Sequence, residues 1–155
     1  MKVLVVGGSG IIGTGIVNAS VAHGHDVFAL TRGIKEIQNN NVVKYIKCDW
    51  SNYNAAIEVL NNQLFDVIVD GRIFTEKQLI RDLELVKGHC KQFIYISTSG
   101  VYEQPAINFN EDSPKRLENL PWSYSYNKRK AEIFIEIIFF SIFFRSEERR
   151  VGKEC

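Results

Sequence analysis

The sequence predicts a doubly wound α/β domain, in which one parallel sheet lies between two layers of helices. Short apolar segments rich in β-branched residues alternate with segments whose apolar residues recur at helical spacing. That alternation is typical of a parallel sheet covered by helices on both faces. A glycine-rich loop, Gly7–Gly13, separates the first strand from the first helix. The chain of 155 residues is long enough for one such domain with a buried core.

The predicted strands are short and apolar. Lys2–Val6 is a β-branched run that ends at glycines, so we expect a strand buried on both faces. Four further segments have the same character. They are Asp26–Thr31, Val42–Lys47, Phe65–Asp70 and Gln92–Ser97.

The predicted helices lie between and after these strands. Ile11–His23 has apolar residues at helical spacing, and Gly24 is a suitable residue to end it. The other predicted helices are Asn54–Asn61, Glu76–Lys87 and Ser123–Phe144, and the proline-containing segment Gly100–Pro121 predicts a loop.

Composition argues against several classes of partner. The formal net charge is +1, so we expect no overall attraction to nucleic acid or to an anionic membrane. The apolar stretch Ile133–Phe144 is shorter than the roughly 20 residues that span a bilayer, and it predicts a buried amphipathic helix. The N-terminus lacks the features of a signal peptide.

Cys48, Cys90 and Cys155 match no metal-ligand spacing, so we expect free thiols, no metal site and a cytoplasmic location.

The glycine loop predicts a site for a dinucleotide pyrophosphate. A helix N-terminus offers N–H groups and a positive dipole end, and glycine leaves no Cβ between the backbone and a phosphate. Gly7 suits the turn, Gly10 the close approach of the phosphate, and Gly13 the packing of helix on strand. Ile11 and Ile12, between them, are expected to contact the cofactor as well. A tight turn without a ligand is the alternative.

The spacing Gly-x-x-Gly-x-x-Gly resembles the short-chain dehydrogenase/reductase superfamily. The additional Gly8 makes the loop similar to its extended branch, the NAD(P)-dependent epimerase/dehydratase-like family. The resemblance covers Met1 to Phe144 and implies a Rossmann-like sheet of strand order 3-2-1-4-5 with a nicotinamide cofactor. Extended relatives continue with a sixth strand and a smaller substrate domain. The resemblance therefore implies that residues 1–144 are an incomplete dinucleotide-binding domain whose substrate domain is missing.

The end of the chain differs from the rest. Residues 145–155 follow no apolar period and directly follow a Phe-rich segment. They resemble the in-frame translation of a sequencing-library adapter, so we expect a non-native tail. A genuine charged C-terminal tail is the alternative.

Two residues bear on the choice of cofactor. In this fold an acid at the end of the second strand binds the adenosine ribose and selects NAD. Arg32 stands there instead, and a guanidinium favours the 2′-phosphate of NADP. We therefore expect NADP rather than NAD; an arginine that stacks on adenine without discriminating is the alternative. Asp49, after the third strand, matches the acid that contacts adenine in the family, or it caps a loop.

Two later segments match the family's catalytic residues. Phe93–Tyr102 places Thr98 four residues before a tyrosine, and Trp122–Lys128 resembles the Tyr-x-x-x-Lys motif. Removing a hydride from an alcohol leaves a proton that needs a base. A lysine one helical turn from a tyrosine favours the phenolate that can take it.

The resemblance therefore implies Tyr124 as the acid/base, Lys128 as its activator and a ligand of the nicotinamide ribose, and Thr98 as the partner of the substrate oxygen. Tyr126 and Lys130 have the same spacing and are the alternative pair. Trp122 and Asn127 favour the first pair, because they match the family's form of the motif.

Two departures from the family pattern limit the reaction. Ser99-Gly100 replaces the Asp-Glu pair with which sugar dehydratases eliminate water, so no positioned carboxylate is present for that step. The segment after the fourth strand is Asp70-Gly71-Arg72 where many relatives are Ala-rich. Asp70 is either an inward strand-end carboxylate or a turn residue.

The resulting hypothesis is the cofactor-binding part of an NAD(P)-dependent epimerase or reductase that acts on a nucleotide-sugar-like small molecule. The longer parent protein would be the enzyme, with a homodimer as one assembly that the family implies, and the present chain is expected to be inactive. The alternative is a non-catalytic dinucleotide-binding module, either a redox sensor or an RNA-associated relative of the superfamily.

Overall fold

A computed structural model describes residues 1–33, 42–103, 110, 112–115 and 123–151, with side chains described as far as residue 138. The chain divides into two compact units. The first comprises Met1–Ile73 with Ile80–Ile96, and the second comprises Phe74–Leu79 with Ser97–Cys155. Trp122 and Cys155, which entered the sequence interpretation, lie outside the described residues.

The first unit contains a parallel five-stranded sheet. Its strands are β1 (Lys2–Val6), β2 (Asp26–Thr31), β3 (Val43–Lys47), β4 (Phe65–Asp70) and β5 (Cys90–Tyr95). The spatial order is β3-β2-β1-β4-β5, and each neighbouring pair is parallel. The predicted fold class and strand order are therefore confirmed.

Helices cover both faces of this sheet, because its central strands are apolar on both sides. The helices of the chain are α1 (Ile11–Ala22), α2 (Tyr53–Leu60), α3 (Glu76–Val86) and α4 (Ser123–Val151). Val17 of α1 packs with Val3 and Val5 on one face. On the other face, Leu60 of α2 and Leu85 of α3 belong to one core cluster with these residues of β1, β2 and β4: Leu4, Val6, Leu30, Phe65 and Ile68. The predicted three layers are thus present in the first unit.

The boundaries of β1, β2 and β4 are as predicted, whereas β5 begins and ends two residues early. It begins early because Gly88, at φ +80°, turns the chain and the His89 carbonyl then accepts the N–H of Phe65. It ends early because β4, its only neighbour in the described sheet, ends at Asp70 opposite Tyr95. The prediction that this strand covers residues 92–97 was therefore wrong by two residues at each end.

The second unit contains all of α4 and a short 3-10 helix, Ser99–Val101, at the start of the predicted loop. Helix α4 continues beyond the predicted end at residue 144 and reaches Val151. No proline or glycine occurs between 144 and 151, and glutamate and arginine are good helix formers. The side chains of residues 133–138 are half-buried or exposed rather than buried. Among the described residues, no helix is long and apolar enough to cross a membrane.

Candidate functional site

The glycine loop folds back on itself at the carboxyl end of β1. Gly7 adopts φ +83°, which a residue with a side chain rarely does. The N–H groups of Gly7 and Gly8 both donate to the carbonyl oxygen of Leu30, at 3.0 and 3.1 Å. The N–H of Gly10 donates to the Gly7 carbonyl at 3.0 Å. These bonds set the tight turn between β1 and α1.

Among the described residues, helix α1 begins without a side-chain cap and without an acidic residue in its first turn. Its N-cap is Gly10, which offers no side-chain hydrogen bond, and its first turn contains no acidic residue. The first N–H groups of a helix have no partner within the helix. The start of α1 therefore has the backbone donors and the dipole that an anionic group needs.

Close contacts leave little or no room for a side chain at three glycine positions of the loop, which are residues 8, 10 and 13. A Cβ on residue 13 would overlap the Gly7 carbonyl oxygen and lie 2.9 Å from the Gly7 carbonyl carbon. One on residue 10 would lie 3.3 Å from the same oxygen. One on residue 8 would lie 2.8 Å from the Ala29 Cβ, so Gly8 lets the loop approach β2. This task of Gly8 is visible only in the structure, because Ala29 is distant in sequence.

A cleft of about 260 Å³ opens beside this loop, within the first unit. Two of its lining residues, Ile11 and Ile12, are exposed, at 94% and 57%. The cleft is lined by residues of β1, the loop, α1 and the chain after β4, namely Val5, Val6, Gly7, Gly10, Ile11, Ile12, Gly13, Ile16, Gly71 and Arg72. Sequence reasoning did not assign Arg72 to this site, because only the pairing of β4 with β1 brings it there.

Arg32 and Asp49 follow β2 and β3, and both are exposed. The Asp49 carboxylate accepts hydrogen bonds from the N–H and the hydroxyl of Ser51, at 3.0 and 2.6 Å. These bonds, followed by the charges of Arg72 and Arg32, lower the pKa of Asp49. The loop-capping contact that was the alternative for Asp49 is therefore present, and both guanidinium groups act on the same carboxylate.

Asp70 is the last residue of β4 and is completely buried, and its carboxylate also closes the turn that follows the strand, so both of its predicted placements are observed. Its Oδ1 accepts the N–H of Arg72 at 2.6 Å. Burial, together with the nearby Asp82 carboxyl, raises the pKa of Asp70 to about 7. Burial also raises the pKa of Asp82, although its ion pair with Arg81, at 2.7 Å, acts in the opposite direction.

The predicted catalytic residues all lie in the second unit. Tyr124 and Lys128 are one turn apart on α4, and the Lys128 Nζ lies 5.9 Å from the Tyr124 ring centroid. Lys128 is 1% exposed and Tyr124 41%. The Phe74 ring lies 6.0 Å from the Tyr124 ring and 5.7 Å from the Lys128 Nζ, a contact that no sequence motif indicated.

Thr98 is half-buried and caps the short 3-10 helix, where its hydroxyl oxygen accepts the N–H of Gly100 at 3.3 Å. A Cβ on residue 100 would lie 2.5 Å from the Ser125 hydroxyl, so this turn contacts the first turn of α4. The structure thus brings the segment of Thr98 to the helix that carries Tyr124.

The alternative pair, Tyr126 and Lys130, has a different environment. The Lys130 Nζ lies 5.1 Å from the Tyr126 ring centroid, and both side chains are exposed. A solvated ammonium is screened and acts weakly on its neighbour. The two pairs therefore share a spacing but differ in the burial of the lysine. In the described part of the chain, no group of three His, Cys, Asp or Glu side chains could hold a metal ion.

Five parallel strands in the order 3-2-1-4-5, with a glycine loop between β1 and α1, define a Rossmann-like α/β protein. The chain belongs to the NmrA-like family, whose model matches residues 1–103. It is 31% identical over 111 residues to an isoflavone reductase homolog of Lupinus albus, and the match covers 60% of this chain and 35% of that protein.

Solved structures of similar fold include several sugar-nucleotide epimerases. The UDP-Glc/GlcNAc 4-epimerase of Campylobacter jejuni matches with a TM-score of 0.73 at 19% identity, over 90% of this chain and 49% of its own. The UDP-glucose 4-epimerase of Bifidobacterium longum, in complex with NAD+ and UDP, matches with a TM-score of 0.68 at 19% identity, over 94% and 50%. WbmG of Bordetella bronchiseptica, in complex with NAD and UDP, matches with a TM-score of 0.68 at 16% identity, over 88% and 50%.

At these identities the solved structures establish the fold. Together with the family match, they confirm the resemblance to the extended short-chain dehydrogenase/reductase group that the sequence indicated. The chain spans about a third of the length of the Lupinus albus protein and about half the length of the solved structures it matches.

Proposed function

We propose that the chain is the cofactor-binding part of an NAD(P)-dependent epimerase or reductase. The observation that carries this proposal is the cleft beside the glycine loop, where the start of α1 has no side-chain cap and the glycines leave the backbone uncovered. Two of the similar structures were determined with a nicotinamide dinucleotide and UDP, which supports the same class of ligand here.

In this proposal the pyrophosphate lies at the start of α1. Gly7 and Gly10 let the backbone approach it, and Gly13 lets α1 pack on the loop. The N–H groups of the first turn donate to the phosphate oxygens, and the exposed Ile11 and Ile12 cover the apolar parts of the cofactor.

We propose NADP rather than NAD as the cofactor. Arg32 lies at the end of β2, where an acid would bind the ribose hydroxyls of NAD. Its guanidinium is exposed and can donate two parallel hydrogen bonds to a 2′-phosphate. Asp49 contacts the adenine in this arrangement while it also closes the turn with Ser51.

The chain's own acid/base chemistry is assigned to Tyr124, Lys128 and Thr98. A nicotinamide cofactor, when bound, would supply the hydride acceptor for oxidation of an alcohol, and the Tyr124 oxygen would take the proton of the alcohol. Lys128 is assigned as the residue that activates Tyr124, because it is buried one helical turn away and a charge removed from water is less screened. Lys128 also binds the nicotinamide ribose, and the Thr98 hydroxyl orients the substrate oxygen. Reduction reverses these transfers, so one set of residues serves a reductase or an epimerase.

For the substrate we propose a nucleotide-sugar-like molecule, on the strength of the epimerases that share the fold. Residues 1–144 are proposed as the dinucleotide-binding domain of a longer enzyme, and the chain alone as unable to turn over substrate.

A non-catalytic dinucleotide-binding module is the second candidate. The observation that favours it is the extent of the family match, which ends at residue 103 and does not include Tyr124 or Lys128. Both candidates require the dinucleotide, and they differ in whether Tyr124 takes part in turnover.

Titration of the chain with NADH and NADPH tests the shared part of the proposal. A Gly13→Val variant places atoms where the Gly7 carbonyl lies, so we expect binding to be lost. Gly10→Ala is the milder change, with a contact of 3.3 Å, and we expect weaker binding in a chain that still folds.

Gly15→Ala is the matched control, because a Cβ on residue 15 of the same helix meets no atom within 4 Å. It should bind as the wild type does, with α1 stabilised by up to about 1 kcal/mol. Folding is checked by circular dichroism. Wild-type chain that binds neither dinucleotide, or a folded Gly10→Ala chain that binds both as well as the wild type, would contradict the proposal.

A further inference from the structure

Arg72 has no role in the function proposed so far, yet it lies in the cleft. It follows β4 after Gly71 and is half-buried. A Cβ on residue 7 would lie 2.9 Å from the Arg72 Cγ and 3.0 Å from its Cδ. The aliphatic part of this side chain therefore crosses the first glycine of the loop, and Gly7 has to lack a side chain for Arg72 to lie there.

Charge in the cleft has one sign. Arg72 is charged, whereas the other lining residues are glycine, valine and isoleucine. The start of α1 contributes a further partial positive charge, with no acid in its first turn. A cation near the positive end of a helix is unfavourable unless an anion lies between them. The cleft is therefore suited to an anionic ligand.

The Arg72 guanidinium is available to such a ligand. Within the described ranges of the chain, its side chain makes no hydrogen bond and no ion pair. A guanidinium has five N–H donors and stays charged at every physiological pH. Its field is felt at Asp49, whose pKa is lowered first by the Ser51 hydrogen bonds and then by Arg72 and Arg32.

A hydrogen bond to a buried carboxylate fixes the backbone of Arg72. Its N–H donates to the Asp70 carboxylate at 2.6 Å, and Asp70 is completely buried at the end of β4. This bond closes a turn over Gly71. Because Asp70 is buried in the core, the bond fixes the direction of the backbone at residue 72. A phosphate contact from such a position is preorganised, because little backbone freedom is lost on binding.

We propose that Arg72 binds a phosphate of the dinucleotide, as a charged side-chain ligand added to the backbone donors of the glycine loop. The inference rests on the proposed function. A dinucleotide carries a pyrophosphate and, in NADP, a 2′-phosphate, and both present the oxyanion pair that an arginine fork contacts. The chemistry is the same for the two groups, and the choice of ligand in the test separates them.

The test compares dissociation constants of NADH and NADPH for the wild type, Arg72→Gln and Arg72→Lys, measured by fluorescence titration at low and high salt. Lys44→Gln is the matched control. It also removes one positive charge, but Lys44 is exposed near the amino end of β3, where it pairs with Asp26. Thermal unfolding verifies that each variant is folded.

We expect Arg72→Gln to weaken binding about ten-fold or more and to reduce its salt dependence, with Arg72→Lys in between and Lys44→Gln unchanged. Equal weakening for NADH and NADPH supports the proposal with the pyrophosphate as ligand. Weakening for NADPH alone supports it with the 2′-phosphate. If both constants of Arg72→Gln equal those of the wild type, the role of Arg72 is refuted while the proposed function stands. If the wild type binds neither dinucleotide, the proposed function fails and this inference fails with it.

Discussion

The ammonium nitrogen of Lys128 lies 5.9 Å from the ring centroid of Tyr124, and the lysine is buried whereas the tyrosine is accessible to solvent. The Phe74 ring lies within 6.0 Å of both groups. This arrangement combines a poorly screened positive charge with a phenol that a substrate can reach. It separates this pair from Tyr126 and Lys130, whose lysine is solvated.

Tyr124→Phe is expected to reduce turnover by about 10²-fold or more in the longer enzyme that we propose. General acid/base catalysis contributes about 10²- to 10⁴-fold, and the variant loses the oxygen that exchanges the proton. UDP-glucose serves as the probe substrate; nicotinamide absorbance follows net hydride transfer, and chromatography of the sugar nucleotide follows epimerisation, which leaves the cofactor unchanged. Binding of NADPH should not change, because the tyrosine acts on the substrate.

Tyr126→Phe is the control for that experiment, since it makes the same change two residues away on the same helix. It should retain turnover. An active wild type with unaffected turnover in Tyr124→Phe would reject the assignment and favour the non-catalytic candidate, and a loss confined to Tyr126→Phe would favour the alternative pair.

Arg32→Glu is expected to reverse the choice of cofactor. The wild type should bind NADPH at least about ten-fold more tightly than NADH, because a charge-assisted contact to the 2′-phosphate contributes on the order of 1.5–3 kcal/mol. A glutamate would repel that phosphate and accept hydrogen bonds from the ribose of NADH. Lys91→Gln, which alters an exposed charge near the amino end of β5, is the control. Equal affinity of the wild type for both dinucleotides would contradict the preference for NADP.

The contribution of Asp70 to the stability of the chain should fall as pH rises from about 4 to about 7. Burial raises the pKa of Asp70 from 3.8 to about 7 in the folded chain, so the folded state binds more protons than the unfolded state in this interval. The free energy of unfolding then decreases with pH and levels off above the folded pKa. Asp70→Asn should remove this decrease and be more stable than the wild type above neutral pH, as urea unfolding can show.

Asp66→Asn is the control of opposite sign. Hydrogen bonds from the Lys91 ammonium and the Lys2 N–H lower the pKa of Asp66, so its contribution is present at neutral pH and lost as pH falls. This variant should be destabilised at neutral pH and less so in acid. A wild-type free energy of unfolding that rises between pH 4 and 7 to the same extent as that of Asp70→Asn would contradict the prediction for Asp70.

The thiols of Cys48 and Cys90 should react slowly with iodoacetamide at neutral pH. Burial raises the pKa of both, and the charge of Asp49 adds to the effect at Cys48. Both are free, and the thiolate is the reactive form. In a Cys155→Ser background, we expect at least about ten-fold slower alkylation than for free cysteine, and rapid alkylation of both after unfolding in urea. Fast alkylation of the folded chain at Cys48 would show that its burial is wrong.

Much of the fold was predictable because its signals are local. The apolar runs of β1, β2 and β4 are each followed by glycine or arginine, and all three strands have the predicted bounds. The parallel order follows from strands joined by crossovers through helices. The edge strand β5 was misplaced because its ends depend on its partner β4 and on the turn at Gly88, which the composition of β5 does not encode.

The sequence by itself determined the glycine loop and the spacing of Tyr124 and Lys128, because each depends on residues close together in the chain. The strand order followed from the family resemblance that these local motifs indicate. Only the tertiary structure decided which of two equally spaced tyrosine–lysine pairs has a buried lysine, that Phe74 packs on that pair, and that Asp70 points into the core. It also placed Arg72 in the cleft against Gly7. Those contacts join residues from different strands and helices, and packing rather than local periodicity brings such residues together.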